Sequence, residues 1–267
     1  MRYREVNKLR QLASEFHYLP KYSMTIKSWR TYVKDYLGLV SAPQIINVDL
    51  KTGISFLLRA GCSDRIPINN IFVRNCFMIE DEEITRARTI IDIGAHIGIF
   101  SLFAYQKAPN AQIFVYAPEP NSYDLLNRNI NRNNAQSRIH PFNLAVGGSR
   151  DTFEMYKQDI PIGNTLLKSE ASPHSEALKV RVITLADVLS QSGIDRCDLL
   201  KINAEGSEYD ILTKSDRATL GRIRNVYLQC HFINQSLNID TIQEFLSQAG
   251  FFLLRKQRDQ LAMSQDL

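Results

Sequence analysis

Hydrophobic positions change their rhythm along this chain. From Thr89 onward, short apolar runs ended by glycine or a polar cluster alternate with stretches of helical period. The runs Thr89–Ile93, Gln112–Ala117, Ile139–Ala145, Lys179–Ile183, Leu199–Asn203, Arg224–His231 and Phe251–Arg255 read as strands, the last of them as the final strand. Between them, Phe100–Gln106, Ser122–Asn133, Leu185–Gln191, Tyr209–Thr213 and Ile239–Ala249 read as helices. Asp151–Tyr156 is a candidate extra strand. Strand–helix alternation predicts βαβ units and a mostly parallel sheet, that is, an α/β Rossmann-like fold. Before Thr89 the pattern differs. Residues 1–40 read as helical, with Trp29, Tyr32 and Tyr36 forming part of an apolar face. Ile45–Val48 and Ile54–Arg59 read as two strands joined by the turn residues Lys51-Thr52-Gly53, a hairpin, and Asp64–Met78 leads toward a helix. Ile160–Ala177 has little periodicity and is rich in Pro, Ser, Gly and acidic residues, as a mobile loop would be. The expected organisation is an N-terminal helical extension over residues 1–43, closed by Pro43, followed by one domain over residues 44–267.

Composition narrows this little. Apolar residues make up 44% and charged residues 22% of the 267, ordinary for a chain that buries a core. The net charge of +4 is too small to point to nucleic acid. Basic residues do gather at Arg2–Arg10, Arg128–Arg138 and Arg217–Arg224, where solvated helix faces account for them. The N-terminal region reads first as a cap on the main domain and second as a substrate lid. Membrane-surface docking is a weaker third reading, because acidic residues interrupt a basic amphipathic face. No run reaches membrane-spanning length, so no stable membrane insertion is expected. The start, Met1-Arg2-Tyr3-Arg4-Glu5, lacks a signal-peptide apolar region, and the expected location is cytoplasmic. Cys62, Cys76, Cys197 and Cys230 form no CxxC pair and no zinc spacing, and their apolar neighbours suit free thiols. No metal site is expected.

The chemistry concentrates at the strand ends. Thr89–Ile93 runs into Gly94-Ala95-His96-Ile97-Gly98 and then directly into a helix. Glycine permits a tight backbone path and close approach of a ligand, and a helix N-terminus offers N–H groups to a carboxylate or phosphate. Asp92, at the strand end, is placed to fix the turn by accepting hydrogen bonds. A dinucleotide site would prefer G-x-G-x-x-G, and here the third glycine is missing, so a methionine-type ligand fits better than a pyrophosphate. Glu119 follows the next strand, 27 residues after Asp92, between Pro118 and Pro120. An acid at that place in an α/β fold accepts from both ribose hydroxyls; alternatively it is an exposed loop glutamate. Asn143-Leu144-Ala145 ends the third strand, where small residues would suit a flat adenine ring. The cofactor-binding candidates are Asp92, Gly94, Ala95, His96, Gly98, Glu119, Asn143 and Ala145.

Five motifs in order then carry a resemblance: Asp92–Gly98, Glu119-Pro120-Asn121, Asn143–Gly147, Ile183–Asp187 and Lys201-Ile202-Asn203-Ala204-Glu205-Gly206-Ser207-Glu208. The sequence resembles the FkbM family of S-adenosylmethionine-dependent methyltransferases over residues 54–255. The resemblance implies S-adenosylmethionine as cofactor and transfer of its methyl group to oxygen of a small-molecule, glycan or glycolipid acceptor. It also exposes two departures. The family segment usually reads K-I-D-x-E-G-x-E, and Asn203 stands at the aspartate; Gln229 stands where a glutamate often precedes histidine. A neutral amide cannot take a proton at pH 7. The candidates for base are therefore Glu205, His231 and, less readily, Lys201, with Asn203 as a further site residue. Each has a structural alternative: His231 as a satisfied strand-end histidine, Glu205 as a cap or a partner of Lys201, Lys201 as a support for carboxylates, Glu208 as a first-turn helix residue. His96, often asparagine in the family, is either a cofactor contact or a solvent-facing turn residue. Loss of two acids leaves a second function open, a non-catalytic cofactor-binding protein.

Overall fold

A computed structural model of the chain describes residues 17–42, 44–75, 81–156, 177–231, 238–257 and 259–266. Its contacts divide it into two compact units, Met1–Cys76 and Phe77–Leu267. The expected mobile loop at 160–177 lies outside the described residues, apart from Ala177, which opens a strand.

The first unit holds helices α1 (Leu19–Thr25) and α2 (Trp29–Tyr36), the hairpin strands β1 (Ile45–Asp49) and β2 (Ser55–Arg59), helix α3 (Arg65–Ile68) and a π-helical turn, Asn69–Val73. The hairpin is antiparallel with Val48 opposite Phe56, and alternation buries Ile46, Val48, Phe56 and Leu58. Of the aromatic face expected on α2, Tyr32 is fully buried, its hydroxyl 2.7 Å from Asn69 Oδ1. Asp64 is also fully buried and is held by the Arg59 guanidinium at 2.9 and 3.0 Å.

The second unit starts with α4 (Asp81–Arg86) and continues β3 (Thr89–Ile93), α5 (Ile99–Lys107), β4 (Gln112–Tyr116), α6 (Pro120–Arg132) and β5 (Ile139–Phe142). Then come β6 (Ala145–Val146), β7 (Asp151–Tyr156), β8 (Ala177–Ile183), α7 (Leu185–Gln191), β9 (Cys197–Ile202), α8 (Glu208–Thr213), α9 (Arg217–Leu220) and β10 (Ile223–Gln229). α10 (Ile239–Gln248), β11 (Phe252–Gln257) and β12 (Gln260–Ser264) close the unit. The main sheet has seven strands in the order β11-β12-β10-β9-β3-β4-β5. The five from β10 to β5 run parallel, and β12 is antiparallel to both neighbours. This is the α/β, mostly parallel architecture the alternation predicts. The central strands β3 and β9 are buried through nearly their whole length because both faces are covered. Ile91, Ile93, Leu200, Ile202, Val226 and Leu228 lie in the core with Ile211, Ile242 and Leu246.

Helix starts are written in the sequence. Thr184 and Asp187 form a reciprocal capping box on α7, and Glu119 with Pro120 opens α6. Two expectations fail at strand ends. Ile139–Ala145 is not one strand: β5 stops at Phe142, and Ala145–Val146 joins a separate three-stranded sheet, order β6-β8-β7. The Asn143 side-chain amide donates to the Ala117 and Pro118 carbonyls at 2.8 and 3.0 Å, so the chain turns there instead of extending. And the strand near Phe251–Arg255 is not the last. Gln260–Ser264 returns as β12 and inserts between β11 and β10; it carries no β-branched residue to announce it.

Candidate functional site

Strand order reverses at β3. From there the chain moves to β4 and β5 on one side and to β9 and β10 on the other. The crevice beyond the strand carboxyl ends at such a switch point is where open α/β sheets bind ligands. Here it is a cleft of about 630 Å³, open to solvent. Its lining comes from four strand ends: Ile93, Gly94 and His96 after β3; Tyr116–Glu119 and Ser122 after β4; Leu144–Val146 and Met155 from the small sheet; Asn203–Glu205 and Ser207 after β9.

The two glycines of the β3 turn both hold left-handed backbone, and Gly94 is also required by packing. At Gly94, φ +75°, a Cβ would lie 1.8 Å from the Asn203 carbonyl oxygen, because Asn203 N bonds the Ile93 carbonyl at 3.0 Å and brings the two strand ends together. At Gly98, φ +85°, a Cβ would lie 2.5 Å from Leu126 Cδ1 on α6. The Gly94 and Ala95 amides both donate to the Tyr116 carbonyl, at 3.1 and 3.0 Å. Below the turn, Asp92 is fully buried. Its Oδ1 takes the Lys201 ammonium at 2.8 Å and its Oδ2 the Ser101 hydroxyl at 2.6 Å. Lys201 Nζ also reaches the Gly94 carbonyl at 3.2 Å. This pair therefore pins β3 to β9 beneath the cleft floor.

On the β4 side, Glu119 caps α6, accepting from Asn121 N at 3.1 Å and Ser122 N at 2.6 Å. It is a cap and a cleft wall at once, at 7% exposure, not an exposed loop acid. Tyr116, behind this wall, stacks on Phe142 at 4.9 Å.

The β9 side holds the charged chemistry. His231 Nε2 lies 3.1 Å from Glu205 Oε2, and Nδ1 lies 3.1 Å from Glu208 Oε1. Glu208 is fully buried, and its two oxygens also accept from Ala204 N at 2.7 Å and Gly206 N at 2.8 Å. The Tyr209 hydroxyl fixes the backbone at His231 by donating to its carbonyl, 2.9 Å. Glu208 thus ties the loop that carries Glu205 to the histidine beside it. That loop is strained: Glu205 has φ +49°, followed by Gly206 at +99°. His96, facing the cleft from the other turn, has φ +54°. Left-handed backbone in such residues costs on the order of 1–3 kcal/mol and persists where surroundings enforce it, as at functional sites.

The pair of carboxylates alters the titrations. Burial would pull His231 down, but the hydrogen bond to Glu208 and the charges of Glu208, Glu205 and Asp259 outweigh it and push it up to about 9. Burial pushes Glu205 up to about 7; Glu208 adds to this, while His231 and Lys201 oppose it. Near neutral pH, His231 is a cation and Glu205 exchanges its proton.

The residues expected from sequence fall into three groups. Gly94, His96, Glu119, Ala145, Asn203 and Glu205 line the cleft, with His231 bonded behind Glu205. Asp92, Ala95, Gly98 and Asn143 build its walls from outside the lining, and Lys201 belongs with them. Gln229 turns away, donating to Asp259 Oδ2 at 2.9 Å in the turn between β11 and β12. Asn203 Oδ1 is buried and, among the described residues, accepts no hydrogen bond. Glu208 was legible only as a helix first-turn residue. The signal for more was its place two residues after a glycine turn whose amides need an acceptor. Met155 and Ser207 carried no signal. Among the described residues no group of His, Cys, Asp and Glu is arranged to hold a metal ion.

A model of the Methyltransferase FkbM domain matches residues 92–253, a span that starts at Asp92 and takes in the whole cleft lining. The chain belongs to this family. Within the FkbM family it is similar to Methyltransferase sdnD of Sordaria araneosa, 27% identical over 72% of this chain and 83% of that protein. It is also similar to the 31-O-demethyl-FK506 methyltransferase FkbM of Streptomyces tacrolimicus, 25% identical over 70% of this chain and 81% of that protein. A solved O-methyltransferase family protein from Burkholderia thailandensis overlays with TM-score 0.46 at 12% identity, over 76% of this chain and 57% of that one. The FkbM match makes the chain a methyltransferase by family.

Proposed function

We propose that the chain is an S-adenosylmethionine-dependent methyltransferase that acts on a hydroxyl of a small-molecule or glycan acceptor, with Glu205 as the base. The observation that carries this is the pairing, in one cleft at the switch point, of a capping acid at the end of β4 with a carboxyl poised near neutrality at the end of β9. The cofactor fits the residues present. Glu119 stands on the cleft wall at the N-terminus of α6, the place of an acid that accepts from ribose hydroxyls, and the small Ala117 and Ala145 flank room for a flat ring. Asn203 Oδ1 offers a buried acceptor that a ligand N–H or O–H would satisfy; left unmade, such a bond costs about 1–3 kcal/mol.

Bound S-adenosylmethionine would supply an electrophilic methyl group. The chain's own work is to align an acceptor oxygen with it and to take the proton released. His231 cannot take that proton at neutral pH, because it already holds one between two glutamates. Glu205 can, since about half of it is ionised near pH 7, the range in which a general base is most effective. Protonated His231 then orients Glu205 from behind, through the ion pair at 3.1 Å.

The non-catalytic reading loses one of its two supports, since Gln229 faces Asp259 and not the cleft. It now rests on Asn203. Calorimetric titration with S-adenosylmethionine and S-adenosylhomocysteine tests the cofactor: binding is expected in the intact chain and a large loss in Glu119→Ala, whereas no heat from well-folded protein would refute the reading. Transfer of labelled methyl to a panel of hydroxylated acceptors, abolished in Glu205→Gln, tests the reaction.

A further inference from the structure

The two units carry opposite charge. Residues 1–76 contain twelve basic and five acidic residues, and residues 77–267 twenty basic against twenty-three acidic. The first unit's described acids are turned inward. Asp35 is 3% exposed and accepts from Gly61 N at 2.7 Å; Asp64 is buried against Arg59; Asp49 is half-buried and holds the Ser55 hydroxyl at 2.5 Å and the Asn47 amide at 2.8 Å. Its cations are turned outward: Lys21, Lys27, Arg30, Lys34 and Lys51 are all exposed, and among the described residues 17–75 no carboxylate is. The objection the sequence raised against a basic face, that acids interrupt it, does not hold for the described residues.

Large apolar side chains are exposed on the same segments. Met24 is 71% exposed, Leu39 70% and Leu37 44%. Helical spacing places them beside the cations: Lys21 and Met24 are three apart on α1, Arg30 and Lys34 four apart on α2, and Leu37 three beyond Lys34. Scattered exposed leucines are ordinary on a protein surface. Exposed apolar groups interleaved with cations and free of exposed acid are the composition of a surface that rests on anionic lipid. There, apolar side chains enter the headgroup boundary while Lys and Arg meet phosphates. We propose that the outer face of α1, α2 and the following Leu37–Leu39 segment docks peripherally on an anionic phospholipid surface. The proposal concerns the first unit alone and stands apart from the reaction assigned to the second.

The chain carries its own reporter, because its single tryptophan, Trp29, lies in α2 under Arg30, whose guanidinium is 5.7 Å from the indole ring. The test titrates the full chain with vesicles of phosphatidylcholine alone and of phosphatidylcholine with phosphatidylglycerol. It follows Trp29 fluorescence and co-sedimentation. Expected are binding only to the anionic vesicles with a blue-shifted Trp29, release by high salt, and a partition lowered about tenfold or more in Lys21→Glu/Arg30→Glu/Lys34→Glu. Met24→Ser/Leu39→Ser is expected to lower partition while keeping the salt dependence. Far-ultraviolet circular dichroism and denaturant unfolding, unchanged in both variants, show that they fold. No binding to anionic vesicles, equal binding to neutral ones, or binding to polyglutamate in place of lipid would overturn the proposal.

Discussion

Two charged clusters flank the loop that ends β9, and they do opposite work with similar groups. The Asp92–Lys201 pair is sealed: the carboxylate is inaccessible, the ammonium nearly so, and both are bonded on several sides. The Glu205–His231–Glu208 set is graded, from Glu208 with no exposure to Glu205 on the cleft wall. A sealed pair of unlike charges locks two strands together. In the graded set, burial pushes Glu205 up to about 7 and the neighbouring Glu208 carboxylate adds to it, so the member on the cleft wall is left near its midpoint at neutral pH. Lys201 and Glu205 are only four residues apart. Burial, and not residue type, separates the structural ion pair from the candidate chemistry.

Substitutions that cut each cluster separate these roles. The largest effect is expected from Lys201→Met, which leaves the Asp92 charge buried without its cation. A loss of roughly 3–5 kcal/mol in denaturant unfolding is expected, enough to abolish cofactor binding through the fold. Stability within about 1 kcal/mol of the parent would mean that the pair is not a pin. Glu205→Gln is expected to do the reverse, lowering turnover by about 10²–10⁴-fold while stability and S-adenosylhomocysteine binding hold. Equal loss of binding and turnover would make Glu205 a structural residue after all.

His231→Asn sharpens the comparison through pH. In the parent, activity is expected to rise as Glu205 ionises, with a midpoint at about 7. Removing the cation that favours the carboxylate moves that midpoint to higher pH. Activity at neutral pH is then expected to fall about fivefold and to be recovered in alkaline buffer. His231 also bears on stability. Its pKa is raised on folding from 6.5 to about 9, so its contribution is complete below pH 6.5 and is lost as the pH climbs through 9. The variant should lack that part of the alkaline loss. The smallest effect is expected from Gln229→Glu. It restores an acid at a place that faces Asp259 rather than the cleft, so kinetic constants should stay within about twofold and stability within about 0.5 kcal/mol. A large gain in rate would contradict that placement.

Much of this was legible in the chain. Alternation of apolar runs with helical stretches announced the parallel sheet, because βαβ units repeat one local pattern. The glycine turn and Glu119 marked the cleft, because close approach and capping demand particular residue types at particular places. What stayed hidden was directional. Gln229 and His231 are two apart and belong to the same strand run in sequence, yet one side chain meets the β11–β12 turn and the other meets Glu208. Asp92 read as part of the cradle but points beneath it, to a lysine 109 residues away. Nor could the sequence choose between Glu205 and His231 as base, because the second carboxylate beside His231, Glu208 at 3.1 Å, shows only in the fold. Likewise Asp35 interrupts the basic pattern of α2 in the sequence, and only its burial removes it from the surface.

The account turns on which member of the Glu205–His231 pair is already protonated at neutral pH. Direct titration of the His231 ring by NMR, on protein with labelled imidazole, reads this without any acceptor. The account predicts a charged ring through pH 7 and 8, with a midpoint at about 9 that falls in Glu208→Gln. A midpoint at or below 6.5, the ordinary histidine value, in the intact chain would make His231 the neutral base and contradict the role given to Glu205.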